Sequence, residues 1–175
     1  MARWTPIFVP LLLAVLAVTA CSPLVLPPSA PSTPVPFTTV AQGAPLGEQP
    51  ADPLYTVVRQ MSRWQELRER IPAEAADAGS DSIRSDQILI LAFDGVKGSS
   101  GYRVHIEQVV QEGDRLVITV SRTSPDPDQV VEPATTLPFH LTAISPDAVA
   151  GISTVVFQDT ESNTLIRETS PPISQ

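Results

Sequence analysis

The sequence has one cysteine and two histidines. A single thiol excludes an intramolecular disulfide and a multi-cysteine zinc site. Two histidines leave little from which to build a histidine-based catalytic or metal cluster. Basic residues are scarce, 11 Lys and Arg against 19 Asp and Glu, for a formal net charge of −8. That balance excludes nucleic acid as a partner, because phosphates demand a basic face. No strand, Gly-x-Ser-x-Gly elbow and helix occur in succession, so the α/β-hydrolase type of serine catalysis has no seat. Lys97 precedes Gly98, but no Lys-Ser or Lys-Thr pair opens a helix there, so this is not a phosphate-cradling loop. What the sequence does have is proline, 19 of 175 residues, concentrated ahead of Leu54. About 120 residues follow Pro53, which suits one domain and is tight for two.

Residues 1–20 read as a secretory leader. Arg3 supplies the positive start, Ile7 to Val18 is apolar apart from Pro10, and the small residues Thr19 and Ala20 follow. The uncharged stretch Trp4 to Ala20 falls short of the roughly 20 residues of a membrane span and contains two prolines. Val18-Thr19-Ala20-Cys21 resembles the lipobox of bacterial lipoproteins. The resemblance implies that the Cys21 thiol receives a diacylglyceryl group and that the leader is cut before it. Stable anchoring takes two or more acyl chains, each buried CH₂ contributing about 0.8 kcal/mol. Ser22 after the cysteine is similar to the pattern of lipoproteins released to an outer membrane. The expected address is the cell envelope, on the outer face of the cytoplasmic membrane or on an outer membrane, with the membrane as partner through lipid on Cys21.

Residues 21–53 hold nine prolines from Pro23 to Pro53 and no Lys or Arg. Each proline fixes φ and removes a donor, so the segment is expected to be an extended spacer that forms neither ladder nor helix. The domain is expected over 54–167, with a loose tail at 168–175.

Leu54-Tyr55-Thr56-Val57-Val58 reads as a strand. Ser62 to Ile71 reads as a short amphipathic helix, with Ser62 and Gln65 as a capping box and Trp64, Leu67 and Ile71 on one face, ended by Pro72. Ala73 to Ser85 is small and acidic and reads as a loop. Gln87 to Phe93 is an apolar run expected to be a central strand buried on both faces. After the glycine-rich turn 94–101, Tyr102, Val104 and Ile106 are expected to face in, with Arg103, His105 and Glu107 facing out. Val109-Val110 breaks the period as a bulge, and Gly113-Asp114 turns the chain into the Leu116, Ile118, Val120 strand. Thr136 to Ile144 reads as a further strand, at an edge or bulge because of Pro138. Ser153 to Phe157 and Thr164 to Arg167 form a closing hairpin. The expected fold is therefore α+β, mainly β: an antiparallel sheet or small β-sandwich with one helix packed on it.

Three blocks carry a family resemblance. They are the apolar strand and glycine turn leading to Gly101-Tyr102-Arg103-Val104-His105-Ile106, the hairpin Gly113 to Val120, and Thr123-Ser124-Pro125 through Ala134-Thr135-Thr136-Leu137-Pro138-Phe139. Together, over about Ile88 to Ile144, they resemble the C-terminal domain of the protease-complex subunit PrcB family. Ser99-Ser100 stands where Thr-Gly is usual, Phe139 replaces a tyrosine, and a cysteine common in the Thr-Ser-Pro connection is absent. The resemblance implies a non-catalytic lipoprotein that associates with an exported protease and stabilises it.

Ser99, Ser100, Gly101 and Tyr102 are the candidate partner-binding residues, because the glycines at 95, 98 and 101 allow close backbone approach. The same four residues are similar to the Thr-Gly-Tyr loop of chagasin-like protease inhibitors, which implies an alternative inhibitory role. His105 and His140 are read as exposed strand histidines rather than metal ligands. Asp126 and Asp128 flank Pro127 without the glycine and distal Glu of a calcium loop. No catalytic residue, metal or cofactor is expected.

Overall fold

The structure is a computed structural model that describes residues 31–47 and 52–169. In chain order the strands are β1 (Ser32–Pro34), β2 (Thr38–Gly43), β3 (Leu54–Val58), β4 (Ile88–Phe93), β5 (Arg103–Glu112), β6 (Arg115–Thr123), β7 (Phe139–Ile144), β8 (Thr154–Asp159) and β9 (Thr164–Thr169). Two helices, α1 (Met61–Leu67) and α2 (Ala73–Arg84), lie between β3 and β4. The strands form a five-stranded sheet in the order β1-β5-β6-β8-β9 and a four-stranded sheet in the order β2-β7-β4-β3. All pairings are antiparallel except β6 with β8, where Ile118 stands opposite Phe157. The fold is thus α+β and mainly β.

Three layers follow from the pattern of β4. Its alternate side chains enter two different cores. Ile88, Ile90 and Ala92 join Val104, Ile106, Leu116, Ile118, Val155 and Phe157 between the sheets. Leu89, Leu91 and Phe93 join Trp64, Leu67, Ile71, Ala76 and Ile83 under the helices. A strand covered on both faces reads as an unbroken apolar run, as expected for this one. β7 does the same, sending Phe139, Leu141 and Ala143 to the helices and Ile144 to the inter-sheet core.

Four expectations are corrected. First, the proline-rich stretch does enter the ladders: Ser32–Pro34 pairs with Val110–Glu112, and Thr38–Gly43 pairs with Phe139–Ala143. The prolines are placed where no ladder donor is lost. Pro34 ends its edge strand, Pro36 lies between strands, and Val35 supplies its N–H to Val109 O at 2.8 Å. The stretch from Phe37 to Ala44 contains no proline at all. The domain therefore begins well before Leu54, and β9 carries it to Thr169.

Second, Ala73 to Arg84 is a helix rather than a loop. Its buried residues Ala75, Ala76, Gly79 and Ile83 recur on one face, but they are too small to give a strong apolar signal. Their smallness admits Trp64, which is fully buried and donates from Nε1 to Ala76 O and Ser80 Oγ, both at 3.2 Å. A Cβ at Gly79 would overlap the indole ring. Third, no capping box forms at Ser62: the N-cap is Gln60, without a side-chain cap bond, and the helix tightens into a 3-10 turn at Arg68–Arg70. The apolar face of Trp64, Leu67 and Ile71 is buried as expected.

Fourth, β7 is central rather than an edge. Pro138 stands just outside the strand and uses its carbonyl instead, accepting Asp94 N–H at 3.0 Å. In the β5–β6 hairpin the bulge falls between Ile106 and Gln108, ahead of Val109-Val110, and Val109 then resumes the inward face. Gly113 opens the two-residue turn at φ +63°, the geometry that favours glycine there. The closing hairpin is present and completes the five-stranded sheet alongside β6.

Candidate functional site

Where β4 leaves the core, the chain must turn beside a packed layer. Asp94 is the first residue out and is still 94% buried, with a relative exposure of 6%. Its carboxylate is fully engaged. Oδ1 accepts the Tyr55 hydroxyl at 2.9 Å, Oδ2 pairs with Lys97 Nζ at 2.8 Å, and Arg122 Nη1 lies 4.0 Å from Oδ1. Burial, and then the Asp94 charge, push the Tyr55 hydroxyl well above its ordinary value, so it remains a donor. Lys97 is the only lysine in the chain, and its Nζ lies 5.6 Å from the centre of the Tyr102 ring.

The turn is zipped to the loop between β6 and β7. Lys97 and Thr136 exchange both backbone hydrogen bonds at 2.9 Å. Thr136 Oγ1 donates to Ser99 O at 3.0 Å. Ser100 N–H donates to Glu132 O at 3.0 Å, and Glu132 N–H returns to Ser100 Oγ at 3.2 Å. Gly101, at φ +97°, lies against Pro125, where a Cβ would come within 3.0 Å of the ring. On the far side of Thr136, Leu46 forms a bridge to it, and Leu137 N–H donates to Pro45 O at 3.0 Å. Three segments, 44–47, 94–102 and 124–137, thus make one hydrogen-bonded end of the sandwich.

Beside this end lies an open cleft of about 370 Å³ lined by Asp94, Lys97, Tyr102, Arg122, Asp159 and Glu161, with Thr123, Ser124 and Thr160 between them. Asp159 is tied into the β8–β9 turn, accepting Asn163 Nδ2 at 3.0 Å, Asn163 N at 2.8 Å and Glu161 N at 3.0 Å. The Asn163 side-chain bond, followed by its backbone bond, holds the Asp159 carboxyl below the usual carboxylate range. The cleft is polar and mixed in charge. Among the described residues no group of three or more His, Cys, Asp and Glu is placed to hold a metal ion.

Residues 88–145 match the family model described as PrcB C-terminal. Residues 88–145 carry a PrcB C-terminal-like domain. No curated protein and no solved structure matches the chain. The PrcB-like segment runs from β4 through β7, so it supplies two adjacent strands to each sheet and both of the loops that zip together. The strands β1 to β3, β8 and β9 and both helices are added around it.

Within the PrcB-like segment, Ser99, Ser100 and Gly101 lie together in the zipped turn. The structure brings Ser99 and Ser100 to the 132–136 stretch through backbone groups. Tyr102, expected in the core, is half-buried at the cleft and precedes the strand. Asp126 caps its own turn, accepting Asp128 N–H at 3.0 Å. Sequence reasoning missed Asp94, Lys97 and Arg122. The signal was a charged residue directly after a fully apolar strand, followed by the chain's single lysine. Cys21 and residues 1–20 lie outside the described residues. No described helix is long and apolar enough to cross a membrane.

The two histidines also part company with the expectation. His105 is exposed, but His140 is fully buried. Its Nδ1 accepts Ile106 N–H at 2.8 Å, so the proton sits on Nε2, which lies 2.9 Å from Thr39 Oγ1. His105 stacks on it with ring centres 4.4 Å apart. Burial, and then the His105 charge, lower His140 to about 4. It is a neutral cross-sheet strut with both nitrogens engaged, not a surface histidine.

Proposed function

We propose that this chain is an extracytoplasmic lipoprotein, anchored through lipid on Cys21, whose sandwich is a non-catalytic module that binds and stabilises an exported protease. The observation that carries the reading is the PrcB C-terminal match over 88–145. Two features support it. The polar groups nearest the cleft are engaged with one another, as Asp94 is with Tyr55 and Lys97. The two loops of the matched segment are held in one conformation by backbone bonds, which lowers the ordering cost of binding a partner.

The test is purification of the full-length protein from its native envelope, with mass spectrometry of the N-terminal peptide and assay of any co-purifying protease. The expected result is acylated Cys21 and a protease whose half-life falls when the lipoprotein is removed. A protease that becomes more active on removal would replace stabilisation by inhibition through Ser99 to Tyr102. An unmodified Cys21, or no protease in the purified material, would overturn the reading.

A further inference from the structure

Among the described residues the large apolar side chains exposed to solvent are Leu46, Val96 and Val130, at 75%, 39% and 98%. Scattered singly, such residues need no explanation. These three are not scattered. Leu46 and Lys97, the neighbour of Val96, bridge to the same residue, Thr136. Val130 lies in the same loop as Thr136, two residues before Glu132, which exchanges hydrogen bonds with Ser100. The exposed apolar groups therefore belong to the one hydrogen-bonded end of the sandwich.

The loop that carries Val130 is acidic, and the one basic side chain within this end, Lys97, is paired with Asp94. Asp126, Asp128 and Glu132 bracket Val130, and no Lys or Arg occurs from Thr123 to Ile166. Pro125, Pro127 and Pro133 fix the loop that carries Val130. An exposed valine on a proline-fixed loop, flanked along the chain by three carboxylates, is complementary to an apolar socket rimmed by Lys and Arg. The same three carboxylates disfavour anionic lipid headgroups.

We propose that the 44–47, 94–102 and 124–137 end of the sandwich docks a protein partner, with Val130 entering an apolar socket whose rim is basic. The proposal rests on the protease-binding reading above and adds the surface and the chemistry of the contact.

The test places a photoreactive phenylalanine analogue at Val130, or at the exposed Glu69 of the helix layer, in the full-length protein in its native envelope. The charge variant carries Asp128→Lys and Glu132→Lys. It spares Asp126, whose carboxylate orders the turn, and Glu132 contributes to the zipper only through its backbone. Crosslinking to a protease from position 130 and not from 69, reduced about tenfold by the charge variant, is the expected result. Crosslinking to a protease from 69 alone would overturn this surface and leave the protease-binding reading standing. No protease crosslink from either position would overturn both. A 130 crosslink to lipid or to a second copy of the chain would overturn the proposal. So would a protease crosslink from 130 that the charge variant leaves unchanged.

Discussion

The backbone N–H of Ile106, in the five-stranded sheet, donates to Nδ1 of His140, in the four-stranded sheet, at 2.8 Å. This bond has a local cause. β1 is only three residues long and covers β5 from Val110 to Glu112. Ile106 lies beyond that cover, and a buried N–H without a partner is costly. A side chain from the opposite sheet takes the place of a neighbouring strand.

The first prediction is a pH dependence. His140 titrates at about 4 in the folded protein, against about 6.5 in an unfolded chain. Between these values the unfolded state binds more protons, so stability rises with pH across the window. The contribution is complete above about 6.5 and is lost as pH falls towards 4, on the order of 3 kcal/mol in all. Glu168 runs the other way: burial raises its carboxyl, so its contribution is lost as pH rises above the ordinary glutamate range. Urea denaturation at pH 7 and pH 4.5 on the wild type and on His140→Phe separates the two. The wild type should lose stability at the lower pH, and the variant, less stable at pH 7, should lose the His140 part of that slope.

The second prediction concerns Gly79. Replacing a mid-helix glycine by alanine ordinarily stabilises by up to about 1 kcal/mol. Here the added Cβ would overlap the buried Trp64 indole, and overpacking of a core costs roughly 1–3 kcal/mol. The clash should win, so Gly79→Ala should unfold at lower urea than the wild type. An exposed control in the same helix, Glu74→Gln, should change stability by less than about 0.5 kcal/mol.

This glycine also shows where the sequence was legible and where it was not. The β4 run and the Val104, Ile106 and Leu116, Ile118, Val120 alternation are strong because large apolar side chains mark the core directly. α2 hides because its core face is made of alanine and glycine, whose role is to yield space to Trp64, a residue on another element. The proline count of 21–53 hides β2 because composition averages over a segment, while a ladder needs only a short proline-free piece beside a strand that wants a partner. His140 was legible as a residue but not as a strut, since its partner Ile106 is 34 positions away and faces it only after the sheets stack. Of the site, the glycine turn was visible in the sequence. Its zipper to Glu132 and Thr136 was not, because most of those bonds use backbone groups, which every residue has.

A third prediction addresses Asp94. With a side-chain exposure of 8% it is a buried carboxylate held by Lys97 and the Tyr55 hydroxyl. Removing one partner of such a pair is worse than the pair's own net value, because a charge stays behind. Lys97→Met should destabilise by about 2–4 kcal/mol, softened by Arg122 at 4.0 Å from the same carboxylate. The double variant Asp94→Asn with Lys97→Met should be less destabilised than the sum of its parts. Denaturation across that double-mutant cycle measures the coupling.

A fourth prediction separates the zipper from the core. Thr136→Val removes the hydroxyl that donates to Ser99 O but keeps the backbone exchange with Lys97 and the shape of a buried β-branched residue. The loss of one partly buried hydrogen bond should cost about 1 kcal/mol. Gly101→Ala adds strain at φ +97° and contact with Pro125, which should cost roughly 1–3 kcal/mol. Neither change touches the two apolar cores, so the effect should concentrate in the loops. In hydrogen exchange, the amides of Lys97, Ser100 and Thr136 should lose protection in both variants, while Ile90 in β4 and Ile118 in β6 keep theirs at matched global stability. If protection falls equally in the strands, the turn and the sandwich are one cooperative unit, and the loop end cannot be altered without loosening the sheets behind it.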